Sequence, residues 1–183
     1  MGYQSNPWKY LSKSNLLVMT SLWEGFGNVI VEALYNNLNV ISKDIDRPWG
    51  GCYVIDETQS QEFANIFFNN LDVSKLSLSG KLSPKILVIK PKKRLSWQYH
   101  YRRSEIWSVI KGSIKVIKSD DDVEKKIINL KAGEQIEIAK EERHRIMGTN
   151  KYALVAEIWV HTAKDNPSDE EDIVRIQDDF DRK

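Results

Sequence analysis

Short apolar segments that alternate with polar positions recur along most of the chain after residue 53. Alternation with a period of two is typical of half-buried β-strands, and the Gly, Asp and Ser residues between the segments favour turns. Closely spaced strands of this length are typical of a β-sandwich or β-barrel. The pattern predicts strands at 85–90, 95–100, 106–110, 113–118, 126–130, 135–139 and 152–161, and a last one within 172–180; residues 63–71 are apolar but ambiguous.

The first 45 residues have a different pattern. Residues 16–20 form a continuous apolar run suited to a buried strand, residues 21–28 a glycine-containing loop, and residues 29–35 a helix. Another strand is predicted at 40–42, and this order is typical of a parallel α/β sheet. A polar, turn-rich segment follows, so we place a domain boundary near residue 46. Residues 1–45 are predicted to be an α/β appendage and residues 46–183 a β domain.

The composition narrows the class of protein. Hydrophobic residues make up 41% and charged residues 29% of the chain, and the net charge of +1 gives no reason to expect nucleic-acid or membrane binding. The single cysteine, Cys52, excludes an intrachain disulfide framework and is typical of a reducing compartment. The chain has no apolar run of membrane-spanning length and no signal-peptide pattern. We therefore expect a cytoplasmic protein that binds neither nucleic acid nor membrane.

Candidate metal ligands occur in two separate segments. Gln98 and His100 are two residues apart, so they face the same side of a strand, and Glu105 follows after a short connection. His144 lies in the second segment. An amide oxygen, two imidazoles and a carboxylate suit a borderline divalent ion such as zinc, and an open position would accept water or a substrate oxygen. We predict that the two segments meet around one divalent metal, with zinc as the expected ion.

Part of the first 45 residues resembles a known enzyme family. Residues 20–34 contain a Glu-x7-Glu pattern, formed by Glu24 and Glu32, in a loop that leads into the predicted helix. This pattern resembles the donor-binding half of retaining glycosyltransferases with two Rossmann-like domains. In that family the loop and the helix start contact the nucleotide-sugar donor, and free amides at a helix start suit an anion. Because the resemblance covers only a fragment of such an enzyme, we interpret residues 1–45 as a structural appendage; residual donor binding and docking onto a glycosyltransferase are the alternatives.

The spacing Gln98-x-His100-x4-Glu105-x6-Gly112, followed by His144, resembles the two motifs of the cupin superfamily, which folds as a small antiparallel jelly-roll barrel. Gln98 stands where the first motif has its first His, and Gln-x-His replaces His-x-His in phosphomannose isomerases. Further blocks in the same order resemble the C-terminal isomerase domain of type II mannose-6-phosphate isomerase over about residues 47–182. These blocks are residues 47–50, 95–100, 103–107, 144–145 and 172–178.

This resemblance implies a fold and a set of site residues. The implied fold is mainly β: a cupin jelly-roll β-barrel with a short N-terminal α/β appendage. The implied metal ligands are Gln98, His100, Glu105 and His144. The resemblance also implies two catalytic groups, Arg103 and Arg175, and two substrate contacts, Arg145 and Arg47.

The implied reaction is the metal-dependent interconversion of mannose 6-phosphate and fructose 6-phosphate, which feeds GDP-mannose and surface polysaccharide synthesis. The partner is then a small sugar phosphate. The alternative is a non-catalytic cupin that binds a sugar or sugar nucleotide and is accessory to a glycosyltransferase. Exposed strand edges are compatible with a homodimer.

Several other polar and aromatic residues are expected to be structural. His161 ends an alternating strand and lies in no motif, so we expect it to be structural. Trp97, Trp107 and Trp159 are expected to line the barrel or its core. The acidic run at 169–172 is expected to be a solvated turn.

Overall fold

Two antiparallel β-sheets make up most of the fold in this computed structural model, which describes residues 40–69, 71–76 and 81–180. In spatial order the six-stranded sheet contains β1 (Val40–Arg47), β2 (Gly50–Ile55), β3 (Lys85–Ile89), β10 (Ala153–His161), β5 (Arg103–Lys111) and β8 (Gln135–Ile138). The five-stranded sheet contains β11 (Val174–Gln177), β4 (Trp97–Tyr99), β9 (Arg143–Gly148), β6 (Ser113–Ser119) and β7 (Lys126–Lys131). The predicted mainly β, cupin jelly-roll architecture is confirmed. The strand predicted at 16–20 and the helix predicted at 29–35 lie outside the described residues.

The six-stranded sheet is covered on both faces. On its outer face, Ile86 and Ile158 pack with Phe63 of the short helix α1 (Ser60–Phe67). On its inner face, Leu87 and Val155 belong to a second core cluster, whose other members include residues of the five-stranded sheet. Because both faces are buried, β3 and β10 are apolar almost without interruption rather than alternating.

Several elements differ from the sequence prediction. Strand β2 was not predicted, and β1 extends beyond the strand predicted at 40–42 and pairs with β2 antiparallel rather than in a parallel sheet. The ambiguous segment at 63–71 contributes to helix α1, and β9 was not predicted as a strand. In β9 the inward-facing His144 and the outward-facing Arg145 are both polar and both buried, which hides the alternation. No helix within the described ranges is long and apolar enough to cross a membrane.

Candidate metal centre

Strand pairing brings the candidate ligands together from both sheets. On the five-stranded sheet, Gln98 of β4 lies directly opposite His144 of β9, and His100 follows at the end of β4. Glu105 comes from β5 in the six-stranded sheet. One potential ligand atom from each of His100, Glu105 and His144 lies within 4.8 Å of the others. The two sequence segments therefore meet, as their spacing predicted.

Both imidazole rings are oriented by backbone carbonyl groups. The Nδ1 atom of His100 lies 3.0 Å from the carbonyl oxygen of Asp172, and that of His144 lies 2.8 Å from the carbonyl oxygen of Glu142. A ring nitrogen that donates to a carbonyl carries the proton, so each Nε2 presents a lone pair. The Nε2 atom of His144 is buried and has no hydrogen-bond partner among the described residues. A buried polar atom left unpaired is costly, so this atom fits a metal ligand.

The Glu105 carboxylate lies between the two rings. Its Oε1 is 3.2 Å from Nε2 of His100, its Oε2 is 3.5 Å from Nε2 of His144, and all three side chains are 2% exposed. Burial alone would raise the pKa of Glu105, but His100 and Arg103 beside it hold that pKa well below its usual range. Burial lowers the pKa of His144 to about 4. A neutral imidazole and an ionised carboxylate are the forms that bind metal.

Gln98 lies beside these three residues but presents its amide nitrogen to them. Its Nε2 is 3.4 Å from Nε2 of His100, while its Oε1 accepts a hydrogen bond from Ser96 Oγ. An amide binds metal through its oxygen, so Gln98 must rotate its amide by half a turn to become a ligand. The Ser96 hydroxyl can then accept from the Gln98 amide nitrogen instead, because a hydroxyl both donates and accepts.

The Arg103 guanidinium contacts two of the candidate ligands, Glu105 and His100. Its Nε donates to Glu105 Oε1 at 2.8 Å, and its Nη2 lies 3.1 Å from Nε2 of His100. Its Nη1 donates to Ser168 Oγ at 2.8 Å, and the guanidinium carbon lies 3.6 Å from the centre of the Trp159 ring. Arg103 therefore fixes the orientation of Glu105 and supplies a buried positive charge beside it.

A pocket opens beside the metal-ligand cluster on the inner face of the six-stranded sheet. Its walls combine several cations with carboxylates and aromatic rings, so they suit a polar, anionic molecule. The sequence-predicted residues that line it are Arg47, Gln98, Arg103, Glu105 and Arg175. The lining residues that sequence reasoning did not select include Lys85, Glu157, Trp159 and Glu170.

Arg145 is the predicted site residue that the structure places elsewhere. It follows His144 on β9, so its side chain points to the opposite face of the strand. There its Nη1 donates to Glu124 Oε1 at 2.7 Å, and its Nη2 donates to the carbonyl oxygen of Gln177 at 3.2 Å. Arg145 is thus tied to the outer surface of the five-stranded sheet rather than to the pocket.

Lys85, Glu157, Glu170 and Asp172 are charged residues near the site that had not been selected from the sequence. Lys85 and Glu157 are buried and lie directly opposite each other on β3 and β10. The sequence did contain a signal, since each of these two residues is a charge within an apolar strand. Burying a charged group costs free energy, and a purely structural role rarely requires that cost. The expectation of a solvated acidic turn is wrong for Asp172, which is 6% exposed.

Asp172 helps to position the His100 ring, because its backbone carbonyl oxygen accepts from Nδ1 of His100. Its Oδ2 accepts hydrogen bonds from the backbone N–H of Arg102 at 2.9 Å and from Ser168 Oγ at 2.6 Å. Burial would raise the pKa of Asp172, but the hydrogen bonds from Ser168, Arg102 and Tyr101 outweigh it and lower that pKa. The anchored carboxylate fixes the position of the backbone carbonyl that holds His100.

Comparison with known protein families identifies two families whose profiles match this chain. The profile of the family described as "Mannose-6-phosphate isomerase C-terminal" matches residues 67–178, and that of "Glycosyl transferases group 1" matches residues 1–60. Both resemblances seen in the sequence are therefore confirmed.

Two curated relatives match short stretches of the chain. An uncharacterized glycosyltransferase of Methanocaldococcus jannaschii is 54% identical over 44 residues, which are 24% of this chain and 11% of that protein. An N-acetylgalactosaminyltransferase of Campylobacter jejuni is 36% identical over 44 residues, which are 24% of this chain and 12% of that protein. The chain thus spans only about a tenth of the length of these relatives.

Two solved structures share the barrel. A variant of Bacillus subtilis oxalate decarboxylase superimposes with a TM-score of 0.52 at 13% identity, covering 74% of this chain and 30% of that one. The capsular polysaccharide assembling protein of Staphylococcus aureus gives a TM-score of 0.50 at 11% identity, covering 74% and 31%. At these identities the likeness concerns the fold alone.

Proposed function

Because the chain belongs to the family of mannose-6-phosphate isomerase C-terminal domains, we propose that its barrel is a metal-dependent isomerase that interconverts mannose 6-phosphate and fructose 6-phosphate. The observation that carries this proposal is the buried group of His100, Glu105 and His144, whose Nε2 and carboxylate atoms converge beside a cation-lined pocket. The substrate is a phosphorylated aldose that exchanges its carbonyl between C1 and C2.

The metal would be held by His100, Glu105 and His144, with Gln98 as a fourth ligand once its amide has turned. We propose zinc, because two imidazoles and a carboxylate are typical of catalytic zinc sites that keep an open position. When bound, the metal acts as a Lewis acid that polarises the sugar carbonyl and the neighbouring hydroxyl.

The remaining residues of the pocket bind and orient the sugar phosphate. Arg175 lies directly opposite Gln98 on the neighbouring strand, and Arg47 approaches the same pocket from the end of β1. A guanidinium forms paired hydrogen bonds with a phosphate, so these two residues are the proposed phosphate contacts. Arg103 is the proposed catalytic cation: it holds Glu105 in place and offers positive charge to the oxygen atoms of the reacting carbons.

The proposal is tested with purified protein, added zinc and mannose 6-phosphate, by measuring the formation of fructose 6-phosphate. We expect turnover that disappears with a chelator and that falls at least a hundredfold in His144→Ala, together with loss of bound zinc from that variant. Arg145→Gln is the matched control, because its side chain lies on the opposite face of the same strand. Zinc binding without any turnover would contradict the isomerase proposal.

A second candidate function is a non-catalytic barrel that binds a sugar or sugar nucleotide and is accessory to a glycosyltransferase. The match of residues 1–60 to group 1 glycosyl transferases favours it, since such enzymes transfer sugars from activated donors. Calorimetric titration separates the two functions. Saturable binding of a sugar nucleotide, with no isomerisation of mannose 6-phosphate, would support the accessory function.

A further inference from the structure

We propose that Glu157 is the catalytic residue that moves the proton between C1 and C2 of the sugar. This inference rests on the proposed isomerase function and assigns the acid–base group that the metal ligands do not provide. Glu157 lies near the middle of β10, on the face that lines the pocket, and is 7% exposed. The neighbouring inward-facing residue on one side, Val155, belongs to the apolar core of the barrel.

The carboxyl group of Glu157 is oriented by a hydrogen bond, while the neighbouring cations contact other carboxylates. Trp107 Nε1 donates a hydrogen bond to its Oε1 at 3.0 Å. The two flanking cations are directed elsewhere, because Lys85 Nζ lies 2.6 Å from Glu170 Oε1 and Arg103 Nε donates to Glu105. An indole N–H donates only, so it fixes the carboxyl group without exchanging a proton with it. Glu157 is thus oriented and buried, and it forms no ion pair with any residue that the structure describes.

The other ionisable residues of the pocket are less suited to proton transfer. The guanidinium groups of Arg47, Arg103 and Arg175 stay protonated and cannot act as a base. Glu105 is a proposed metal ligand, and Glu170 is paired with Lys85. Burial raises the pKa of the Cys52 thiol to about 11, so it remains protonated.

The environment of Glu157 suits a group that both accepts and returns a proton. Burial is the largest cause that raises the pKa of Glu157 above its usual range, which makes its carboxylate a stronger base. A general base is most effective when its pKa lies near the working pH. Lys85 and Arg103 act in the opposite direction and moderate this rise.

The proposed step is balanced without any further reactant. The Glu157 carboxylate takes the proton from C2 of the aldose; the C2–H electron pair becomes the C1–C2 double bond, and the carbonyl pair moves to O1, giving an enediolate. The proton on the C2 hydroxyl then passes to O1, and the C2 oxygen forms the new carbonyl. The C1–C2 electron pair takes the proton back from Glu157 at C1, which yields the ketose and regenerates the carboxylate.

The test compares Glu157→Gln with the wild-type protein loaded with zinc. Glutamine keeps the side-chain volume and an oxygen that accepts from Trp107, but it cannot take a proton from carbon. We expect kcat to fall by roughly 10²- to 10⁴-fold, the range for removing a general base. KM, zinc content and melting temperature should change little. Glu137→Gln is the matched control, because Glu137 is exposed on β8 of the same sheet.

The outcomes separate this inference from the proposed function. A wild-type protein that turns over mannose 6-phosphate while Glu157→Gln keeps kcat within threefold of it would overturn the role of Glu157 and leave the isomerase standing. A wild-type protein without turnover would overturn both. If the Gln variant binds less zinc or melts earlier, Glu157→Asp decides, because it retains a carboxylate. Turnover of the Asp variant above that of the Gln variant supports the assignment, and equal turnover overturns it.

Discussion

His144 and His161 are both buried but use their ring nitrogens in opposite ways. His144 donates from Nδ1 to a backbone carbonyl and keeps a lone pair on Nε2. His161 instead accepts from the backbone N–H of Ser168 at its Nδ1, at 2.9 Å, so its proton resides on Nε2. A protonated ring nitrogen cannot bind a metal. His144 therefore keeps a ring nitrogen that is able to bind a metal, whereas the proton on Nε2 of His161 favours the structural role expected from the sequence.

The buried, neutral state of His161 makes the stability of the fold depend on pH. Burial, followed by the positive charges of Lys81 and Arg103, lowers the pKa of His161 to about 4. In the unfolded chain the pKa is about 6.5, so between these values the unfolded state binds more protons. The contribution of His161 is complete above about pH 6.5 and is lost as the pH falls towards 4, by roughly 3 kcal/mol in all.

His161→Asn tests this dependence, because the asparagine oxygen can accept from Ser168 N–H but does not titrate. We expect the free energy of unfolding of the wild type to fall more steeply than that of the variant between pH 6.5 and 4. Urea denaturation at several pH values in this window measures the difference. Parallel curves for the two proteins would show that His161 is not the group concerned.

At the scale of elements, the hairpin of β1 and β2 depends on a close approach between two backbones. A Cβ atom on Gly50 would lie 1.7 Å from the carbonyl oxygen of Val88 on β3, and Gly50 has a φ of +151°. Gly133, in the turn before β8, has a φ of +88°, but a Cβ atom there would meet no atom of the described residues within 4 Å. Substituting each of the two glycines therefore separates the free-energy cost of a steric clash from the cost of a positive φ angle alone.

We expect Gly50→Ala to lower the free energy of unfolding by about 3 kcal/mol or more, because β2 must move away from β3. Gly133→Ala should cost about 1 kcal/mol, the penalty of a positive φ alone. Chemical denaturation of both variants gives the comparison. Equal losses would mean that the approach of Gly50 to Val88 does not limit the packing of the hairpin.

The elements differ in how well their sequences predict them. Strands β6 and β7 were predicted closely because polar and apolar positions alternate along them. Helix α1 was ambiguous because it is short and its apolar residues, such as Phe63, also fit a strand. β9 was missed because Arg145, on its outer face, is buried against Glu124. Local pattern fails where a polar residue is buried by a partner distant in sequence.

The same limit applies to the site. The sequence identified His100, Glu105 and His144 as residues that converge. Strand alternation and the family motifs can both be recognised within short stretches of sequence. Glu157 could not be assigned from spacing, because its position beside Trp107 depends on the pairing of β10 with β5. Arg145 was drawn into the predicted site by its adjacency to His144, although alternation along β9 sends it to the other face.

For the whole molecule, the domain boundary predicted from the sequence runs through a paired strand. The predicted boundary near residue 46 falls inside β1, whose residues from Val40 to Arg47 pair with β2. The carbonyl oxygen of Arg47 also accepts a hydrogen bond from Lys90 Nζ at 3.1 Å. The glycosyl transferase match extends to residue 60 and therefore covers both strands of this hairpin. A chain cut at residue 46 would expose the edge of β2.

We therefore expect residues 40–183 to keep the melting temperature and zinc affinity of the barrel, and residues 46–183 to melt at a lower temperature by about 3 °C or more, since each kcal/mol lost shifts the midpoint by a few degrees. Thermal denaturation of the two truncated chains, side by side with the full chain, measures the contribution of β1. The comparison must be made with zinc present at the same concentration, because a bound ligand raises the midpoint by mass action. Identical melting of both truncated chains would show that β1 contributes nothing to the barrel and would favour a boundary at residue 46. An early melt of residues 40–183 would instead mean that residues 1–39 stabilise the barrel, so that the two family matches form one cooperative unit.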